Sequence, residues 1–307
     1  MTHPHLPFGL SRSFQPVLRY RRKPSRSTSR PFDTGPFDGA QDRLRQARSL
    51  LRANGRIIRD KLLAWPVPLA VLLLWWVAAR LEWIAPQVLP SPEAVALTLK
   101  DSIVSGELWG HLQISLLRVM AGFGAGLAGG LLLGVAMGLS PTFKSYVYPL
   151  FKAFSQVPVL GWLPLLMLLV GIDEALKVIL IGKAALVPIA LNTYKGIQGV
   201  PTRFIEVARV LRFTRWQMLS RVVFPAALAP IWNGVRYGLT HAWLTLVVVE
   251  LLASSEGLGF MIVYGRQLFQ LDVVLAAVVV VGAVGFALDK LLALVELRLL
   301  RWRKEAF

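Results

Sequence analysis

The chain contains no cysteine. Disulfides, thiolate metal sites and a catalytic thiol are therefore excluded. The four histidines are His3, His5, His111 and His241, and their scattered positions do not form the spacing of a metal-ligand set. Residues 1–30 lack an apolar core, so we predict no cleavable signal peptide. No GxxxxGKS/T phosphate loop occurs, so ATP hydrolysis by this chain is not expected.

Charged residues are also scarce. They make up 17% of the chain, against about 25% in a typical soluble domain. Hydrophobic residues make up 55%, and several apolar runs reach the length of roughly 20 residues that a helix needs to cross a bilayer. Strand-period alternation is absent, which argues against an outer-membrane barrel. The composition therefore predicts an all-α, polytopic membrane protein.

The net charge of +17 could indicate a nucleic-acid partner, but the basic residues are not spread over the chain. They concentrate in the N-terminal tail, in the segment 203–221 and at the C-terminus. This distribution is typical of the cytoplasmic flanks of a membrane protein. We therefore predict the lipid bilayer, and not nucleic acid, as the surrounding partner.

The N-terminal region divides by composition. Residues 1–41 are rich in Pro, Ser, Arg and Gly and cannot bury enough apolar surface to offset chain entropy, so we predict a disordered basic tail. Residues 42–63 place leucine and isoleucine at helical spacings among arginines, which predicts an amphipathic helix at the inner membrane surface. The membrane domain is predicted over 64–303, followed by the short tail 304–307.

Six membrane spans are predicted. They cover about 65–84, 111–139, 146–170, 175–194, 230–253 and 273–294. Lysine and arginine are concentrated in the segments 1–64, 195–229 and 295–307. By the positive-inside rule, both termini and the connection between the fourth and fifth spans then lie in the cytoplasm.

Two spans have an unusual composition. In the second span glycine recurs every four residues, at Gly122, Gly126, Gly130, Gly134 and Gly138. This period places the glycines on one stripe of a helix, which predicts close packing against a neighbouring helix. The third span contains Pro158 and Pro164 and is predicted to break there, as helices that line transport pathways often do. A static kink is the alternative.

The basic connection contains a short amphipathic pattern. Apolar residues at helical spacing predict one apolar face: Phe204, Val207, Val210 and Leu211. A second amphipathic turn from Arg215 is predicted to end at Phe224-Pro225. A basic helix with an exposed apolar face fits a groove in a partner protein, or alternatively the lipid headgroup layer.

This connection resembles the EAA loop of the permease subunits of bacterial ATP-binding-cassette importers. The family pattern is Glu-Ala-Ala, then a glycine, then an aliphatic residue followed by Leu-Pro. Here the matching residues are Glu206-Val207-Ala208, Arg212 in place of glycine, Val222 and Phe224-Pro225. The replacement of glycine predicts a less tight bend after the first short helix, or a contact made by Arg212 itself.

Further motifs extend the resemblance over about residues 60–303, to the branch that carries nitrate, sulfonate, taurine, bicarbonate and vitamin precursors. They are Leu89-Pro90-Ser91-Pro92, Gly106-Glu107-Leu108-Trp109, His111-Leu112, Ser115-Leu116-Leu117-Arg118-Val119, Pro158, Trp162-Leu163-Pro164, Asn192-Thr193, Ala242-Trp243, Gly257-Leu258-Gly259 and Leu299-Leu300-Arg301-Trp302.

The resemblance implies an importer in the bacterial inner membrane. Two permease copies would form the solute path, an extracytoplasmic binding protein would deliver the solute, and separate cytoplasmic ATPases would use ATP. This chain would then be no enzyme and would bind no cofactor. Its coupling loop, 197–228, would dock into the ATPase, and the implied contact residues are Glu206, Ala208, Arg209, Arg212, Arg215 and Pro225.

Charges inside the spans are candidates for the solute path. Each costs on the order of 2.5–3.5 kcal/mol at a helix centre and needs a partner or a wet cavity. Lys183 is predicted to face the path and attract an anion, the alternatives being a pair with an acid or snorkelling. By the resemblance, Glu250 and Asp289 are predicted to be structural. Lesser path candidates are Gln156, Pro158, Asn233 and His241.

Two other function classes fit less well. A secondary transporter driven by an ion gradient would show repeated broken helices and buried carboxylates for ion coupling, and no convincing repeat is present. A membrane enzyme would need clustered His, Asp, Glu or Ser at one face, which the sequence lacks. The predicted function is therefore the permease subunit of an ATP-driven importer for a small anion or a vitamin precursor.

Overall fold

The computed structural model describes residues 66–300, apart from Pro86, and all regular structure in this part of the chain is helical. Residues 69–300 belong to one compact unit. The predicted tail 1–41, the predicted interfacial helix 42–63 and the C-terminal tail 304–307 lie outside the described residues.

The helices follow one another with short connections. They are α1 Pro66–Arg80, α2 Pro92–Val104, α3 Glu107–Leu139, α4 Pro141–Gln156, α5 Leu163–Val170, α6 Glu174–Gln198, α7 Thr202–Val210, α8 Arg215–Met218, α9 Phe224–Ala253, α10 Leu258–Gln267 and α11 Leu271–Leu299. A 3-10 turn, Val159–Trp162, joins α4 to α5, and a π-helical turn, Leu219–Val223, joins α8 to α9.

Three helical segments of the described chain are long and apolar enough to cross a bilayer: Glu107–Leu139, Arg215–Ala253 and Leu271–Leu299. The bent pair α4–α5, whose two arms meet at 93°, would be a fourth if it forms one span. Helix α1 is apolar but shorter than these segments, and α6 is not among the candidate spans. The structure thus supplies three or four candidate spans, and six spans stay a prediction.

The glycine stripe of α3 lies along α6. A Cβ atom added to Gly122 would be 2.6 Å from Ile181, and one added to Gly134 would be 2.6 Å from Thr193. The other stripe glycines meet α6 in the same register: Gly126 at Ala185, Gly130 at Ile189 and Gly138 at Ile197. Each step of four residues on α3 matches a step of four on α6, so the two helices run parallel with their backbones in close approach.

The long helices α6, α9 and α11 alternate in direction. On α9, Gly234 lies beside Asn192 and Gly238 beside Ile189, so α9 runs antiparallel to α6. Helix α11 is in turn antiparallel to α9, because Trp243 contacts Gly285 while Arg236 contacts the later Asp289. One end of the bundle therefore holds the C-terminal ends of α3, α6 and α11 together with the N-terminal end of α9.

Two sequence expectations about proline need correction. The helix after Arg215 does not end at Phe224-Pro225 but continues to Ala253. The Phe224 N–H donates to the carbonyl of Leu219 across the wider π-helical turn, and Pro225, which has no N–H, follows directly after that turn at the start of α9. The break near Pro158 does form, but Pro164 likewise starts a helix, α5, and does not kink one.

The connections between the first and second and between the fifth and sixth predicted spans also contain helices, α2 and α10. Helix α2 begins at Ser91, whose hydroxyl accepts the N–H of Ala94, and its Thr98 hydroxyl donates to Asp272 at the start of α11. Helix α10 packs against α11. Both connections are therefore folded against the ends of the long helices.

We expect the stripe to tolerate no Cβ atom. The variant Gly134→Ala should lose about 1–3 kcal/mol of stability, because its methyl group would overlap Thr193 and force α3 away from α6. Gly124→Ala, on the same helix with nothing within 4 Å, should be neutral or gain up to about 1 kcal/mol from helix propensity. Thermal unfolding of both purified variants checks this, and equal melting temperatures would contradict the packing argument.

Candidate functional site

The basic segment after α6 folds into a bent two-helix unit. In α7 the side chains of Phe204, Val207 and Val210 are 46%, 59% and 82% exposed, and Leu211 directly after it is 61% exposed. The apolar residues expected to share a face are thus all at the surface. Glu206 lies exposed among them.

The predicted contact residues divide by exposure. Ala208 is only 2% exposed, so its side chain packs inside the subunit and is not available to a partner, contrary to the expectation from the motif. Pro225 is partly buried and lines a cleft of about 460 Å³ at the base of α7. The remaining candidates are exposed: Glu206, Arg209, Arg212 and Arg215.

The bend after α7 is tight despite the missing glycine. Arg212 adopts a left-handed backbone conformation with φ +53°. Its N–H donates to the carbonyl of Arg209 at 2.9 Å, and the Phe213 N–H donates to Ala208 at 3.0 Å. These two bonds form a Schellman motif, in which glycine is usual at the left-handed position. The predicted loosening therefore does not occur, and a side chain at this position costs roughly 1–2 kcal/mol.

A capping box starts the next helix. The Thr214 hydroxyl accepts the N–H of Gln217 at 3.3 Å, and the Gln217 side chain accepts the N–H of Thr214 at 2.9 Å. Trp216, which follows the cap, is 75% exposed. A threonine followed three positions later by glutamine is a known signal for the start of a helix. The sequence alone could therefore have predicted that α8 begins after Thr214.

Lys183 lies at the break between α4 and the 3-10 turn. Its side chain is 8% exposed, and its Nζ donates to the carbonyl of Val157 at 2.9 Å. The rings of Phe154 and Trp162 lie 4.8 and 5.4 Å from the ammonium group. Among the described residues, no carboxylate forms an ion pair with it. The lysine thus satisfies a carbonyl that the interrupted helix leaves without a helical partner.

The predicted path residues form two groups. Gln156 and Pro158 flank Val157 and are exposed, so they share the break with Lys183. Asn233 and His241 lie instead on the exposed face of α9. The structure therefore does not gather all the candidates at one place.

A buried ion pair ties together the opposite end of the bundle. Glu250, 1% exposed, accepts hydrogen bonds from the Ser115 hydroxyl at 2.8 Å, from Arg118 at 2.9 Å and from the Gly259 N–H at 2.9 Å. A Cβ atom on Gly257 would overlap the carboxylate. Two motifs that are far apart in sequence, Ser115–Val119 and Gly257–Gly259, therefore meet at the Glu250 carboxylate, an arrangement that fits the structural role expected of Glu250.

Arg118 extends this cluster to the start of α6. It donates to both carboxylate oxygens of Glu174, at 2.6 and 2.7 Å, and to the carbonyl of Glu256 at 2.8 Å. Hydrogen bonds from Arg118 and from Lys177 lower the pKa of Glu174, which precedes the predicted fourth span, to about 2. Glu174 therefore stays ionised at any physiological pH.

Asp289 forms a second ion pair, between α9 and α11. Arg236 donates to its two carboxylate oxygens at 3.0 and 3.1 Å and to Glu296 at 3.2 Å. Arg236 lies within the long helix α9, inside the predicted fifth span 230–253. No group of three or more His, Asp or Glu side chains that could hold a metal occurs between residues 66 and 300.

Comparison with known proteins identifies the family. The model of the binding-protein-dependent transport system inner membrane component matches residues 126–301. The chain is 40% identical over 265 residues to the putative aliphatic sulfonates transport permease protein SsuC of Bacillus subtilis (strain 168), covering 84% of this chain and 96% of that protein.

The names of two further relatives contain other solutes. The taurine transport system permease protein TauC of Escherichia coli (strain K12) is 38% identical, over 77% of this chain and 88% of its own. The nitrate import permease protein NrtB of Synechocystis sp. (strain ATCC 27184 / PCC 6803 / Kazusa) is 34% identical, over 59% and 66%. The chain therefore belongs to the family of binding-protein-dependent transport system inner membrane components, the permease subunits of ABC importers.

Proposed function

We propose that two copies of this permease form the path of an ATP-driven importer and that the bent unit α7–α8 transmits the force of a separate ATPase. The observation that carries this proposal is the exposed apolar face of α7, with Glu206 in it and arginines around it. A rigid helix with such a face fits a groove in a protein. The same family membership argues for ATP, and against an ion gradient, as the energy source.

Helix directions support a six-span arrangement with both termini in the cytoplasm. Because α3 and α6 run parallel, the chain must cross back between them, and the bent pair α4–α5 is the segment that does so. The six crossings are then α1, α3, α4–α5, α6, α9 and α11. The end of the bundle that holds α7 is the basic one, which by the positive-inside rule is cytoplasmic.

The opposite end then faces the binding protein. It contains the connections before α3, α6 and α11, tied down by the cluster around Arg118 and Glu250. An importer of this family takes its solute from that side. ATP is used by the partner subunit, and no cofactor is assigned to this chain.

The solute we propose is a small organic anion. The printed names of the relatives are those of sulfonate, taurine and nitrate permeases. Within this chain, Lys183 supports an anionic solute, because a buried ammonium group without a carboxylate partner leaves a positive potential at the break in the path. Gln156 and Pro158 would line the same part of the path.

The apolar face of α7 should be required for docking. Val210→Asp places a charge on the most exposed apolar position of the helix, and burying that charge in a partner's groove should weaken assembly with the ATPase at least about tenfold. Glu206→Ala should lower ATP-driven uptake with a smaller effect on assembly. The matched control is Val104→Asp, a valine that is 77% exposed at the end of α2.

Co-purification with the ATPase and uptake into proteoliposomes measure the two effects. If Val210→Asp and Val104→Asp assemble equally well, the face lies on lipid headgroups or in solvent, and the coupling role is wrong.

Arg212 allows the bend itself to be tested. Arg212→Gly should relieve the left-handed strain and slow amide exchange in residues 202–218, by about tenfold, since glycine is free of the cost of roughly 1–2 kcal/mol. Arg209→Gly, inside α7, should accelerate exchange because glycine weakens a helix interior. Hydrogen-exchange mass spectrometry reports both changes without the ATPase.

Docking of the ATPase then separates the two possible roles of Arg212. If Arg212→Gly retains or improves docking, the arginine is only a strained substitute for glycine. If docking is lost although the segment is better ordered, Arg212 makes a contact of its own.

Lys183→Met should raise the KM for an anionic solute about tenfold, the equivalent of 1.4 kcal/mol, while the complex still assembles. Lys177→Met is the control. Lys177 is a buried lysine on the same helix, but it is paired with Glu174 and lies away from the break. Unchanged uptake at low solute concentration in Lys183→Met would remove Lys183 from the path.

A further inference from the structure

Three consecutive backbone N–H groups at the start of α10 each donate to a side chain of α3 or α9. The bonds run from Gly257 to Nδ1 of His111 at 3.0 Å, from Leu258 to the Ser115 hydroxyl oxygen at 2.9 Å and from Gly259 to the Glu250 carboxylate at 2.9 Å. The start of a helix leaves such N–H groups without a helical acceptor. All three donor residues are buried, so water is a poor substitute for a lost acceptor.

The three acceptors respond differently to acid. A serine hydroxyl carries no charge at either end of the physiological pH range. Glu250 has a cationic partner, because Arg118 donates to it at 2.9 Å. The imidazole of a histidine, in contrast, is the side chain that changes its charge between about pH 5 and 8. His111 is therefore the acid-sensitive member of the three.

The bond from Gly257 requires a neutral imidazole. Nδ1 can accept only while its lone pair is free, with the ring proton on Nε2. A proton on Nδ1 would place two N–H groups opposite each other, and the bond would be lost. Gly257 cannot move deeper to find another acceptor, because a Cβ atom built on it would overlap the Glu250 carboxylate. The movement left to the connection is away from α3.

Other ionisable groups surround His111 on every neighbouring element. They are Glu107 and Arg118 on α3, Lys100 and Asp101 on α2, Glu174 and Lys177 on α6, Glu250 on α9, Glu256 in the connection, and Tyr264 and Arg266 on α10. Arg118 is paired with Glu250 and Glu174, and Lys177 is paired with Glu174. Glu107, one turn before His111, and Glu256, next to Gly257, are exposed. These two carboxylates supply counter-charge for an imidazolium.

We propose that His111 is a pH switch for the connection between α9 and α10. With a neutral imidazole, His111 holds Gly257 against α3, and residues 254–258 are firmly attached. When the ring takes up a proton, this hydrogen bond is lost and the connection and the first turn of α10 loosen. Acid therefore weakens the attachment, and neutral pH restores it.

The switch is complete within one subunit. Donor, acceptor and the carboxylate behind Gly257 all belong to the same chain and pack inside it, so the switch does not depend on which face a second copy covers. Its place on the extracytoplasmic side, where the solute is delivered, rests on the proposed function. There it would loosen the delivery end of the permease when the outer medium becomes acidic.

Hydrogen-exchange mass spectrometry of the whole permease in phosphatidylcholine nanodiscs tests the switch. The informative variant is His111→Asn, because the Asn Oδ1 takes the place of Nδ1 and accepts at any pH. At about pH 5, residues 254–262 of the wild type should exchange about tenfold faster than those of His111→Asn, and at about pH 7.5 the two should agree within about twofold. Comparison at equal pH cancels the intrinsic pH dependence of amide exchange.

Two further variants complete the test. His111→Phe has no acceptor, so its residues 254–262 should already exchange at about pH 7.5 as fast, relative to His111→Asn, as those of the wild type do at about pH 5. His241→Asn, at an exposed histidine of α9, should keep the response of the wild type. Residues 174–198 of α6 serve as the internal reference for an intact fold.

Equal exchange of wild type and His111→Asn in acid would overturn the proposal, because Glu107 and Glu256 are present in both. Full protection of His111→Phe at neutral pH, or loss of the response in His241→Asn, would also contradict it. The measurement needs neither the ATPase nor a solute. Its failure leaves the coupling role of α7 standing, and failure of the Val210→Asp experiment leaves the switch standing.

Discussion

The close approach of α3 and α6 is the constraint on which the remaining structure depends. Lipid tails are as apolar as leucine, so helices in a bilayer gain little from burying leucine and associate mainly where their backbones can touch. The stripe glycines of α3 let the side chains of α6 reach its backbone. Helix α9 repeats this on the other side of α6, where Gly196, Gly234 and Gly238 leave room for the neighbouring chain.

With α6 held from both sides, the two ends of the bundle behave differently. At one end, the buried pair Arg118–Glu250 fixes α3 and α9 together and reaches the first residue of α6 through Glu174. At the other end, α7 leaves α6 through a short turn and presents its apolar face to solvent. Helix α7 is therefore joined directly to the three closely packed helices α3, α6 and α9.

Local features of the sequence predicted much of this arrangement. The four-residue glycine period needs only helix geometry to predict a packing stripe, and Pro158 needs only its missing N–H to predict a break. The continuation through Pro225 was missed because a π-helical turn absorbs the proline, and the resulting register has no local signal. The prediction of a less tight bend at Arg212 was wrong for a related reason. Two backbone hydrogen bonds hold the left-handed turn that glycine would have made without strain.

Contacts between residues far apart in sequence could not be predicted from local features. Arg236 falls inside the predicted fifth span, but nothing near it in sequence indicates that Asp289 is its partner. Ala208 was predicted to contact the ATPase because it matches the family motif. Its burial depends instead on how α7 lies against the rest of the chain. In both cases tertiary register, set by the helix contacts, decided what the side chain touches.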